Sequence, residues 1–126
     1  MRILSILLSV YFILTGIYIL TMPETFYRLT PGLDLMGPFN MPSIRDVALT
    51  FLVSGGAMLY GSVRRNRVAL LCGAAWPFLH ALYHCVIWSH RGFPFDYIWA
   101  VDVAGVIVPG FAAMGLAARA RFAAAR

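Results

Sequence analysis

From Ile3 to Met22 the chain runs for twenty residues without a charged side chain, between Arg2 and the step Pro23-Glu24. Coiled as a helix, that stretch is about 30 Å long at 1.5 Å per residue, the thickness of a bilayer's hydrocarbon core. In lipid it has to be a helix, because each backbone N–H and C=O there needs a partner within the segment. Three further apolar runs follow. Val47–Val63 lies between Arg45-Asp46 and the basic stretch Arg64-Arg65-Asn66-Arg67, and Val68–Trp88 stops at Ser89-His90-Arg91-Gly92. The fourth starts near Tyr97, contains Asp102 and Pro109, and gives out at Arg119 and Arg121. The first run exceeds the apolar core of a cleaved signal, about 7–15 residues. No small-x-small cleavage site precedes Glu24, so the run reads as a retained membrane helix.

Composition agrees with this reading. The apolar set makes up 61% of the 126 residues and charged residues only 12%, against roughly 45–50% and about 25% in a soluble domain. A water-soluble globule is excluded. So is a disordered chain, which needs low hydrophobicity and high charge. The expected fold is all-α: a single four-transmembrane-helix bundle over residues 1–126, with helices at about 3–22, 46–63, 68–88 and 97–118 and an outer loop over 23–45.

All ten basic residues are arginines, and the formal charge is +5. A nucleic-acid partner would need them along a polar groove, whereas they stand at the ends of apolar runs. They act instead as topology signals, since short loops rich in Arg stay on the cytoplasmic side. Arg2, Arg64, Arg65, Arg67, Arg119, Arg121 and Arg126 fall on one side. Arg28, Arg45 and Arg91, each near an acidic residue, fall on the other. Both termini are therefore expected in the cytoplasm of a bacterial inner-membrane protein, which requires an even number of crossings.

The outer stretch carries Pro23, Pro31, Pro38 and Pro42 with Gly32 and Gly37, punctuation that forbids a long helix. Pro23 to Leu29 can still form a short one, with Pro at its first position. Phe26, Tyr27 and Phe39 then belong in the headgroup zone. Ser5/Ser9, Ala57/Gly61 and Ala113/Ala117 are small pairs at i, i+4. Small residues let helices meet in lipid, within the bundle or between copies. The expected partners are the lipid bilayer, further copies of the chain or a larger membrane complex.

Ionisable groups inside a span are costly, about 2.5–3.5 kcal/mol for Asp at mid-helix, so they mark function or a specific pin. His80 and His84 are four apart and share one helical face. Asp102 sits on the next helix, joined by a short loop and so antiparallel. Counted from the outer ends, His84 is about 6 Å deep, Asp102 about 9 Å and His80 about 12 Å. The candidate site is His80, His84 and Asp102, with Asp46, Arg45 and His90 as contributors from the same side. Tyr11, Thr15 and Tyr18 can present hydroxyls from the first helix at similar depth. Two imidazoles and a carboxylate suit zinc, copper, iron or nickel. They also suit a proton relay, and they suit a plain interhelical contact with Arg45 paired to Asp46 or Asp96.

Some chemistries are disfavoured outright. A six-coordinate bis-His haem cannot be clasped by two histidines on one helix, and nothing supports a five-coordinate one. Cys72 and Cys85 lie about 20 Å apart along one helix, too far for a disulfide. Cys-x-x-Cys, His-Glu-x-x-His, phosphate-binding glycine loops and nucleophile elbows are absent. Ser54-Gly55-Gly56 reads as a packing notch. Pro77 and Pro109 each remove a hydrogen bond inside a helix.

Met22-Pro23-Glu24-Thr25-Phe26-Tyr27 after the first helix, Arg45-Asp46 with the glycines beyond it, and Trp76 to Asp96 with Trp-Pro, paired histidines and His-Arg-Gly-Phe-Pro-Phe-Asp carry a likeness. On these residues the chain resembles small bacterial four-helix membrane proteins of the DoxX-like and DUF4345-like kind. The resemblance implies a four-helix membrane fold and no catalytic residues. DoxX-like proteins are linked with redox or thiol-stress complexes, a link for which this chain lacks the paired cysteines. The expected function is that of an accessory or structural membrane protein with an outward-facing His/Asp site. A metal- or cofactor-binding redox protein and a small-solute or proton carrier are the alternatives.

Overall fold

The computed structural model describes residues 1–120; Arg121, Arg126 and the end of the alanine-rich tail, to which the sequence assigns a cytoplasmic place, lie outside the described residues. Helix α1 spans Arg2–Thr21, α2 Pro23–Leu29, α3 Met41–Arg64, α4 Arg67–His90, α5 Tyr97–Asp102 and α6 Val108–Arg119. A 3-10 turn at Asp34–Met36 lies in the outer loop, and a π-helical segment, Val103–Ile107, joins α5 to α6. Four helices are long and apolar enough to cross a membrane: α1, α3, α4 and the continuous rod Tyr97–Arg119. No strand occurs among the described residues.

The second of these helices starts at Met41, not near Asp46 as expected. Asn40 caps it, its side chain accepting a hydrogen bond from Ser43 N at 3.1 Å. Pro42, which reads as loop punctuation, sits in the first turn, where a missing N–H costs the helix nothing. Asn66 caps α4 in the same way through Ala69 N at 3.0 Å. Between the two caps, Arg65 takes the left-handed conformation at φ 55° and reverses the chain.

The helices pack in sequential order, α1 on α3, α3 on α4 and α4 on α6. Glycines let the backbones approach. A Cβ on Gly16 would lie 2.9 Å from the Ala48 carbonyl oxygen, and one on Gly55 2.9 Å from that of Ser9, so α1 and α3 meet backbone to backbone. Gly73 of α4 fits against Met58 and Ser54 of α3, and Gly110 of α6 against Pro77 and Ala81 of α4. Ser5, Ser9, Gly61, Ala113 and Ala117 are buried inside the bundle. Phe12, Ile19, Phe51, Met58 and Leu70 fill the space between them.

Two arginines close the end of the bundle where α1 and α4 begin. Arg2 reaches the Val63 carbonyl at the end of α3, at 3.4 Å, and Arg67 donates to the Ala118 carbonyl of α6 at 3.0 Å. Arg64, Arg65 and Arg119 stand at the same end.

Helices α1 and α6, first and last in the order, barely touch. The seam between them is an apolar groove lined by Leu4, Leu7, Tyr11, Val108, Phe111 and Leu116. A hydrogen bond bridges it. Pro109 has no N–H to offer the carbonyl of Gly105 four residues earlier, and the Tyr11 hydroxyl donates to that oxygen at 2.8 Å.

Candidate functional site

His84 projects from α4 and Asp102 ends α5, and the two meet where the sequence brings them to similar depth. His84 Nδ1 lies 3.1 Å from Asp102 Oδ1, with the side chains 19% and 17% exposed. The nitrogen is buried yet makes no aligned hydrogen bond. The contact is therefore electrostatic, set by distance rather than by direction.

His80 does not share the acid. Its ring stacks on Trp76 one turn earlier, with centroids 4.7 Å apart and planes 13° from parallel, while its edge meets His84 at 4.6 Å. The signal for this was present in the sequence, since Trp76 and His80 are also four apart and share a face. Among the described residues no three His, Cys, Asp or Glu side chains converge as metal ligands would. His80, His84 and Asp102 are thus a stacked imidazole beside a His/Asp pair on the wall of one cavity.

The pair forms part of the wall of a cavity of about 380 Å³. Tyr11 and Thr15 of α1, His80, His84 and Arg91 of α4, and Asp102 are its main polar lining. Phe26, Phe51, Ile44, Val47, Ile98 and Val106 make the rest apolar. The loop from Thr30 to Met36 roofs it, held down where Gly32, at φ +85°, sits against Ile98 with no room for a Cβ. Phe26, expected at the headgroups, instead turns inward onto the core. Tyr18 packs edge-on against Phe26 and stays outside the cavity, unlike its neighbours Tyr11 and Thr15. Tyr27 donates its hydroxyl to the Gly37 carbonyl at 2.7 Å, fixing the outer loop.

Three expected contributors stand apart. Arg45 and Asp46 are exposed on the first turns of α3 and take part in no ion pair among the described residues. His90 is exposed, its Nδ1 2.9 Å from the Val86 carbonyl. Arg91 is the residue sequence reasoning passed over: it lines the cavity and pairs with Asp96 across the turn between α4 and α5. Asp96 also caps α5 by accepting from Trp99 N at 2.9 Å. That N–H, and then the Arg91 guanidinium, hold the Asp96 carboxyl below the usual carboxylate range. Around the turn, Trp88 donates to the Pro94 carbonyl at 2.9 Å and packs against Phe93, Phe95 and Trp99. Cys72 and Cys85 are both free thiols on α4.

The chemistry available is limited by charge. From Ile3 to Pro23, Val47 to Leu79 outside the arginine turn, and Val103 to Ala118 there is no Asp, Glu, His, Lys or Arg. The acids and imidazoles of the long helices are confined to one half of the bundle. Comparison with protein-family models, with curated proteins and with solved structures finds no match.

Proposed function

We propose that the chain is an accessory or structural protein of the bacterial inner membrane, DoxX-like in kind, with both termini cytoplasmic and the His84/Asp102 site in its outer half. The observation that carries this reading is the 3.1 Å contact between His84 and Asp102. It joins the third and fourth membrane helices at a depth where each group alone is unfavourable. Five arginines gathered at the opposite end support the orientation. A proton or solute carrier would need polar groups through the full thickness, and in the other half of the bundle the charged side chains among the described residues are arginines at its rim.

Two measurements test the proposal. In a Cys72→Ala, Cys85→Ala background, Pro38→Cys on intact cells is expected to react with an impermeant maleimide, and Arg64→Cys only after permeabilisation. The reverse pattern overturns the orientation. For the pin, a double-mutant cycle of His84→Phe and Asp102→Leu, read by unfolding in mixed micelles, is expected to give a coupling of about 0.6–1.7 kcal/mol. A coupling of zero removes the structural role.

A further inference from the structure

The cavity beside the His84/Asp102 pair and the groove along the seam between α1 and α6 are separate spaces, but Tyr11 lines both. The cavity is roofed on its outer side by Thr30 to Met36. The way in from the groove is sideways, past Tyr11, and on the membrane reading the seam faces the hydrocarbon. Gly105 stands at the junction. A Cβ there would meet only the Tyr11 hydroxyl, at 3.9 Å, so the position faces open space that a longer side chain would fill. Tyr11 stands between the two spaces with its hydroxyl on the Gly105 carbonyl, so an occupant that spans both turns that ring aside.

Charge selects among occupants. Arg91, the cation on the cavity wall, is already paired with Asp96. Asp102 is the one carboxylate on the wall, and an anionic head would be set beside it. Asp102 is itself paired with His84, so neither charge on the wall is left for a cationic or anionic head to neutralise. What the wall offers without penalty is hydrogen bonding, from the imidazoles, Thr15 and Tyr83. At about 380 Å³ the space lies at the lower end of small-molecule pockets, and the groove continues it with leucine, valine and phenylalanine.

We propose that this cavity binds the hydroxyl or carbonyl head of a neutral, membrane-soluble amphiphile, whose apolar tail leaves through the seam between α1 and α6. The polar head replaces lipid-exposed hydrogen-bonding groups with partners on α1, α4 and α5. The tail covers the groove that no helix covers.

The inference rests on the membrane reading above, and the maleimide pattern of Pro38→Cys and Arg64→Cys, measured on the same preparation, fails only if that reading fails. The probe is a hexadecanol carrying a diazirine close to its hydroxyl, photolysed with the full chain in lipid nanodiscs and mapped by peptide mass spectrometry. Labelling is expected at Thr15 and across Val101–Val106, to saturate, and to be displaced by unmodified hexadecanol. Gly105→Leu is expected to lower it about tenfold while leaving labelling of lipid-facing Val53 unchanged. Thr15→Leu narrows the same cavity from another helix and serves if Gly105→Leu does not fold. Labelling spread evenly over the lipid-facing surface, or unaffected in a folded plug variant, overturns the proposal. Equal labelling by the matching hexadecanoic acid probe overturns the assignment to a neutral head.

Discussion

Replacing Gly110 by alanine tests how tightly the fourth membrane helix is set against the third. A methyl at this position would lie 2.6 Å from the Ala81 Cβ and also against the Pro77 carbonyl. Apolar carbons rest at about 3.5–4.0 Å, so the helices must part by about 1 Å. Overpacking of this kind costs about 1–3 kcal/mol, offset by up to about 1 kcal/mol from alanine's better helix propensity. The expected net loss is about 1–2 kcal/mol. Gly115→Ala is the control on the same helix, because nothing stands within 4 Å of its added methyl. There only the backbone term acts, a gain of about 0.4–1 kcal/mol. Reversible unfolding of both variants in mixed micelles, followed by circular dichroism against detergent mole fraction, gives the two values side by side. If Gly110→Ala is as stable as Gly115→Ala, backbone-to-backbone packing of α4 and α6 is wrong, and with it the placement of Asp102 against His84.

Tyr11→Phe should destabilise the protein by about 1–3 kcal/mol, since it orphans the Gly105 carbonyl that Pro109 cannot serve; in a Pro109→Ala background, where a backbone N–H is restored, the same change should cost clearly less. Equal costs in the two backgrounds, by the same unfolding assay, would show that the hydroxyl does not compensate for the proline. The depressed Asp96 carboxyl contributes stability that is fully present above the ordinary carboxylate value, about 3.9, and is lost as pH falls through its lower folded value. The gap in unfolding midpoint between wild type and Asp96→Asn is therefore expected to be widest at neutral pH and to close on acidification; a gap independent of pH refutes the link to ionisation.

The spans were legible because hydrocarbon imposes one rule on any segment within it, and Ile3–Met22 obeys that rule without a charge. The pairing of His84 with Asp102 was legible too, from a short loop and a common depth. The start of α3 was not, because Pro42 carries the same letter in a loop and in a helix's first turn, and only the cap from Asn40 tells them apart. The stacking of His80 was hidden for a related reason. Its spacing to His84 and its spacing to Trp76 are identical, and aromatic stacking took the ring. The seam and the cavity left no trace in the sequence at all. In water an exposed groove of leucine and phenylalanine would stand out against polar neighbours, whereas in lipid the lining and the outer surface are equally apolar. The π segment was equally hidden, although Pro109 marked the carbonyl that would need outside help.

The sequential packing of the helices bears on how the protein is made. Each membrane helix finds its main partner in the one synthesised just before it, so α3 can settle on α1, and α4 on α3, while the ribosome is still at work. The segment with the acid comes last in the chain, after the helix whose imidazole receives it. On the membrane reading, an aspartate that would resist partitioning alone thus enters beside a partner made before it.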